Sequence, residues 1–435
     1  MWLKFMQCAS VRVGLLPVFL LCLAPAAFCQ NISGSTGSDG ALNFTTAGTY
    51  YFDPLVLGLD LPGDGVFNFT TINIGSGVTV ILNSAYHLNK PVYWLATGNV
   101  IISGTLVLDG GNGNGPTTVL SSLAPAAPGP GGYAGGVGGV IATGNTTLPP
   151  PQPGNGPGGG AIPTAPGNAN GANGVFSGNQ FLTPLIGGSG GSGGSYGATD
   201  GTIGGGGSAG GGALMIVSNT SITYGGVIRA NGGVPGGVGT GYAGGAGSGG
   251  AIELVAPVIS DAASGDSTCT PSGTHHGNLW AGANKNAING NPGTIRLEAN
   301  SLSVETRCVG TGGGDPAGPA NVSTSSNLVF TVVPSSQIWV VSVGGYAIGQ
   351  GAFAYPLAFP DQVVSFSGPV TVNVQATGIP VGTAPVILVT SINTGNTQTF
   401  SCSPLSGTVL SSTCSASVTF PSGGSYGYVK ATWGQ

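Results

Sequence analysis

The chain has 435 residues, of which 85 are glycine and only 5% are charged, and its formal net charge is −5. So few charges speak against a chain kept disordered by charge repulsion. The absence of a basic patch speaks against nucleic acid as a partner.

Residues 1–29 read as a secretory signal peptide. Lys4 and Arg12 lead, "VGLLPVFLLCLAPAAF" is the apolar stretch, and small residues run up to Cys29. Cleavage after Cys29 leaves Gln30 first, and a lipoprotein signal ending in that cysteine is the alternative. The apolar run is short for a retained anchor, and no later run is long enough to span a bilayer. Without Lys4 and Arg12 the chain keeps six basic against thirteen acidic residues, a formal charge of −7.

After a cap region at 30–65, "VFNFTTINIGSGVTVIL" (66–82) alternates apolar and polar residues with the period of two that marks strands. The next stretch, "PVYWLATGNVIISGTLVLDGG" (91–111), recurs 122 positions later as "ALMIVSNTSITYGGVIRANGG" (213–233). Leu214 falls on Val92, Ile216 on Trp94, Ile222 on Val100, Tyr224 on Ile102 and Ile228 on Leu106. The pattern returns in "GAIELVAPVIS" (250–260) and "GTIRLEANSLSV" (293–304), where Glu253 and Arg296 occupy equivalent outward positions. Short strands joined by corners, each with one apolar face, predict turns that bury their faces by stacking. The competing reading, a sandwich of hairpins, would need Asn-Gly-type turns that are sparse before residue 325.

Glycine-rich stretches interrupt the repeat. One runs over 110–211, and another, at 231–250, holds eleven glycines in twenty residues. Further ones follow Ser260 and Cys308. All are expected to leave the repeat near one point and so to line one edge. Two readings of them stay open: a loose low-complexity loop, or extended polyproline-II-like segments bonded to one another because glycine lets backbones approach. Beyond residue 326, longer strands separated by turn residues suggest an immunoglobulin-like β-sandwich of about 110 residues. The expected fold is therefore all-β: a parallel β-helix over 66–325 with glycine-rich loops along one edge, then a β-sandwich over 326–435.

Cys269, Cys308, Cys402 and Cys414 remain after the signal, an even number that reads as two disulfides, most simply Cys269–Cys308 and Cys402–Cys414. The second pair, close in sequence, is expected to clip a hairpin. Zinc is the alternative for four cysteines, but no CxxC pair exists, so neither a metal nor a cofactor is expected. Matches to G-x-S-x-G at Ser189, Ser192, Ser195 and Ser208 lack the strand, helix and histidine of a hydrolase elbow. If the chain is an enzyme, Asp109, Glu253, Glu298 and Glu305 are the candidate catalytic carboxylates, with Arg296, Arg307 and the pair His275-His276 as possible helpers. A solvated ion pair across neighbouring turns is the plainer reading of Glu253 and Arg296.

At "DGVFNFTTINIGSGVTVIL", "GGGALMIVSNTSITYGGVIRANGG" and "GGAIELVAPVIS … GTIRLEA", the sequence resembles glycine-rich exported bacterial proteins of the parallel β-helix, pectin-lyase-like or adhesin-passenger-like, type. The resemblance covers about 60–312 and implies architecture; no catalytic residue is carried over from it. The expected function is an exported, non-catalytic structural or adhesin-like protein of the cell surface or matrix. Its partners would be extracellular polysaccharide, matrix or other surface components. A polysaccharide lyase or hydrolase, or a carbohydrate-binding protein, is the alternative.

Overall fold

The structure, a computed structural model, describes residues 33–59, 65–116, 124–140, 151–164, 168–197, 202–238, 240, 242–261, 278–282, 290–304, 321–326, 328, 337–348, 368–391, 397–409, 411–420 and 427–433. Among the described residues there is no helix; every element is a strand, and no helix is long and apolar enough to cross a membrane.

The first seventeen strands fall into circuits of three. β1 (Ala41–Phe44), β2 (Gly48–Tyr51) and β3 (Val66–Phe69) make the first, and β4 (Thr71–Ile74), β5 (Val78–Ile81) and β6 (Val92–Ala96) the second. β7 (Val100–Ile102), β8 (Thr105–Val107) and β9 (Ala213–Ser218) follow, then β10 (Ser221–Tyr224), β11 (Val227–Arg229) and β12 (Ala251–Val255). β13 (Val258–Asp261), β14 (Asn278–Trp280) and β15 (Thr294–Glu298) make the fifth, and β16 (Ser301–Ser303) and β17 (Asn321–Ser325) complete the series.

Strands at equal places in successive circuits pair in parallel. The first sheet runs β1-β4-β7-β10-β13-β16, the second β2-β5-β8-β11-β14 and the third β3-β6-β9-β12-β15-β17. The repeat seen in the sequence is the hydrogen-bonding register itself: Val92 pairs with Leu214, Val100 with Ile222 and Leu106 with Ile228. The stretch 30–65, read as a cap, already supplies β1 and β2, so the sheets begin at Ala41.

One face of every sheet turns to a common core. Ile72, Val80, Trp94, Ile102, Leu106, Ile216, Ile228, Leu254 and Ile295 all have at most 1% of their surface exposed. Each such side chain contributes about 1.5–3 kcal/mol by leaving water, and period-two alternation puts successive ones on the same side. The third sheet is buried on its other face too. There Tyr93, Leu95, Met215, Val217 and Val255 pack against Leu182 and Leu185 of the long insertion.

The glycine-rich segments are bonded to one another with a period of three. In "GGSGGSGGS" (187–195), Gly188, Gly191 and Gly194 donate to the carbonyls of Gly211, Ser208 and Gly205. Gly187, Gly190 and Gly193 donate to Gly131, Asn155 and Gln152, while Ser192 and Ser195 donate to Ala172 and Ala169. The segment 204–212 repeats the scheme, its three residue classes donating to 133–139, 242–248 and 108–114. Three residues per turn is the period of polyproline II, which makes no internal hydrogen bonds and so needs neighbours for its N–H groups. A Cβ at Gly190, Gly193 or Gly245 would overlap the carbonyl of Ala134, Val137 or Ala172, so these positions need glycine for space. Of the two readings of these segments, the bonded one holds among the described residues.

The insertions do not share one exit. Those after β8 and β11 leave between the second and third sheets, whereas the stretch holding Cys269 lies between β13 and β14, at the first-to-second corner. After that stretch the core is rejoined at Leu279 on β14.

The C-terminal region is antiparallel. β18 (Gln337–Val343), β19 (Tyr346–Ala347) and β20 (Val370–Thr377) share a five-stranded sheet with β23 and β24, whose ranges are Ser406–Thr408 and Ser411–Val418. β21 (Val386–Ser391), β22 (Thr397–Ser401) and β25 (Gly427–Thr432) form a three-stranded one. Val372, Val374, Ala416 and Val418 from the first and Ile387, Val389 and Ala431 from the second share one sandwich-like core. Cys402, directly after β22, is disulfide-bonded to Cys414 on β24, with Cα atoms 5.9 Å apart. The bond therefore joins the two sheets instead of clipping a hairpin. The chain turns from one sheet to the other within twelve residues, which sequence separation alone does not reveal.

Candidate functional site

Parallel pairing of β12 with β15 sets Glu253 opposite Arg296 on the outward face of the third sheet, and Glu298 follows two residues on, on the same face. Arg296 Nε hydrogen-bonds Glu298 Oε1 and lies 3.7 Å from Glu253 Oε1. Its guanidinium sits 5.2 Å from the ring centre of Phe181, and Nη1 donates to Ser323 Oγ at 3.3 Å. Ser323 Oγ donates in turn to the Gln180 carbonyl. The insertion thus lies over this face and is tied down on it. All three charged residues are buried, so the solvated pair expected from sequence is corrected to a covered triad. The cover comes from a segment more than seventy residues away in sequence, beyond the reach of strand periodicity.

Burial, then the nearby Glu298 charge, pushes the Glu253 carboxyl up to about 8 against the opposing pull of Arg296. Glu253 therefore holds a proton at neutral pH beside a carboxylate paired with arginine. Two carboxyls in unlike environments are the arrangement that acid–base chemistry uses. Oε2 of both Glu253 and Glu298 is buried with no hydrogen-bond partner. Both oxygens are shut off from solvent, beside an Arg296 guanidinium that lies over the Phe181 ring.

Asp109 lies elsewhere, just past β8. Arg229 Nε is 2.8 Å from its Oδ2, yet that N–H is not aligned on any acceptor, so the contact is an ion pair. Asn231 N donates to Asp109 Oδ1, and Gly282 N donates to Asn231 Oδ1, both at 2.9 Å. Asp109 and Asn231 are thus successive steps of a ladder, each side chain capping the backbone of the next circuit. Burial raises the Asp109 carboxyl to about 6, with Arg229 and the Asn231 N–H opposing. Glu305, Arg307, His275, His276, Cys269 and Cys308, with the proposed Cys269–Cys308 bond and the signal segment, lie outside the described residues.

The serines of the G-x-S-x-G matches are buried hydrogen-bond partners. Ser192 Oγ accepts from Ala172 N, Ser195 Oγ from Ala169 N, and Ser208 Oγ accepts from Gly247 N while donating to the Gly233 carbonyl.

Sequence reasoning missed His87. It stacks on Phe52 at 5.4 Å, within an aromatic group that includes Phe67, Phe69 and Trp94, and neither ring nitrogen has a hydrogen-bond partner. Burial lowers it to about 4, against Asp53 and the Phe52 backbone. Among the described residues no group of His, Cys, Asp and Glu could hold a metal ion. No protein-family model, no curated protein and no solved structure matches the chain.

Proposed function

We propose that this is an exported structural or adhesin-like protein of the cell surface or extracellular matrix, and that it is not catalytic. In this reading the three parallel sheets are the walls of one β-helix, and the C-terminal sandwich is immunoglobulin-like. The observation that carries the proposal is the cross-bonded glycine lattice. A large share of the chain is given to backbone packed on backbone, which supplies stiffness and almost no side-chain chemistry. The outward face of the first sheet carries no charge along the row Asn43, Asn73, Ile101, Thr223 and Ser260, in which an exposed isoleucine interrupts the polar side chains.

A polysaccharide-processing reading is favoured by one feature, the convergence of Glu253 and Glu298. A glycan array and a polysaccharide-degradation screen on the purified protein separate the two. Binding without turnover is the expected result; new reducing ends or unsaturated products, lost in Glu253→Gln, would replace this reading with the enzymatic one.

A further inference from the structure

His87 lies in the turn between β5 and β6, and it is 5% exposed. Its ring stacks on Phe52 at 5.4 Å, and Phe67 stands edge-on to it at 6.1 Å. Phe52 packs in turn on Phe69 and Trp94, so the imidazole belongs to one aromatic group of the first two circuits. Both ring nitrogens are buried without a hydrogen-bond partner. A neutral imidazole tolerates such a place. An imidazolium there would carry two N–H donors with nothing to receive them and a charge taken out of water.

The same turn holds the long insertion. Asn89 Nδ2 donates to the Gly132 carbonyl at 3.0 Å, and Gly131 N donates to the Asn89 carbonyl at 3.2 Å. Gly131 lies so close to Pro91 that a Cβ there would stand 2.8 Å from the proline ring. Gly187, at the head of the Gly-Gly-Ser run, donates to the Gly131 carbonyl, which joins the turn to the glycine lattice. Leu88 and Asn89 have φ 50 and 53. That left-handed backbone suits asparagine and is costly for leucine, a cost that opening of the turn relieves.

We propose that residues 83–90 form a latch that acid releases: protonation drives the His87 ring out of the aromatic group, and the turn lets go of Gly131 and Gly132. Asp53, in the loop after β2, favours a charged ring, and Lys90 is the charged residue of the turn itself. Phe52 and Phe67 bring no charge against the imidazole, and Asp60 and Asp64 lie outside the described residues. Burial prevails over Asp53 and the Phe52 backbone and holds the enclosed ring at about 4. A released ring returns to its ordinary 6.5. The open turn therefore binds a proton that the closed turn refuses, and opening is favoured as pH falls from 6.5 towards 4.

Hydrogen exchange on the purified protein, corrected for the intrinsic effect of pH on the rates, tests the latch. The reporters are the amides of Asn89, Lys90 and Gly131, which donate to the carbonyls of Ser84, His87 and Asn89. From pH 7 to pH 4.5 their protection should fall about fiftyfold, the ratio for a ring that titrates at about 4 when enclosed and at 6.5 when released. Protection in β9 and β12 should hold over the same range. His87→Phe and His87→Gln put an uncharged side chain in its place, and each should make the protection of the three reporters independent of pH. Wild-type protection that does not change with pH overturns the proposal, and so does an undiminished fall in either variant. A turn that opens while Gly131 stays protected, or strands β9 and β12 that loosen together with the turn, overturns it equally.

Discussion

Ser189 and Ser248 are joined twice: Ser189 N donates to Ser248 Oγ, and Ser248 N donates to the Ser189 carbonyl, both at 2.9 Å across 59 residues of chain. Ser189 Oγ is then free to accept from Gly158 N at 3.1 Å. Where glycine leaves no side chain, a serine every third residue supplies the extra acceptor. Ser192→Ala should therefore cost about 0.5–1.5 kcal/mol, because the Ala172 N–H loses its hydrogen-bond partner. Gly190→Ala should cost about 3 kcal/mol or more, since the new methyl meets a neighbouring carbonyl that cannot swing away. Thermal or urea denaturation reads both, and a neutral Gly190→Ala would count against the tight lattice.

Arg296 stands between two buried carboxyls. Replacing it with methionine, which keeps much of its packing, should destabilise by about 3–5 kcal/mol, the cost of leaving buried charge unpaired. Glu253→Gln should be tolerated far better. Comparing denaturation midpoints of the two variants tests whether the triad is braced by its arginine.

The pH dependence has two opposed parts. Glu253 titrates at about 8 in the fold against an ordinary 4.5. Between those values the unfolded chain loses a proton that the folded chain keeps, so stability falls as pH rises through that window. Asp109, at about 6 against 3.8, acts in the same direction over its own lower window. His87 runs the other way. At about 4 against 6.5, it stays neutral in the fold while the unfolded chain gains a proton, so stability falls as pH drops from 6.5 towards 4. Urea denaturation across pH 4–9 should show Glu253→Gln flattening the loss above 6.5. His87→Phe should remove the loss on the acid side and gain stability there, since neither nitrogen is bonded.

Cys402–Cys414 fastens one antiparallel sheet to the other. The double alanine variant should lose about 3 kcal/mol in the C-terminal region, as expected for a short closed loop. Hydrogen exchange should show the loss in β21 and β24 while β9 and β12 keep their protection. Equal loosening of both regions would mean that they unfold as one unit.

The parallel register was legible because alternating apolar residues repeat at the spacing of the pairing, as with Val92 and Leu214. The neighbourhood of Glu253 and Arg296 followed from the same alternation. Their burial did not, because Phe181, Leu182 and Leu185 come from a segment with no strand period. The glycine lattice stayed one of two open readings for a related reason: its contacts are between backbones, and glycine leaves no side-chain pattern to read. The triplet Gly-Gly-Ser at 187–195 was the available sign, for it repeats with the same period as the donors. Asp109 looked chemical because a carboxylate stands out in a chain with so few charges. Its repeat partner Asn231 indicated the capping role, since an amide does the same work there.

The corner between the second and third sheets is where the chain can change length without cost to its register. From β5 to β6 it spends ten residues, from β8 to β9 more than a hundred, and from β11 to β12 about twenty, yet the strands on either side pair as though nothing lay between them. Growth at that corner alters what the molecule carries on its flank and leaves its spine untouched.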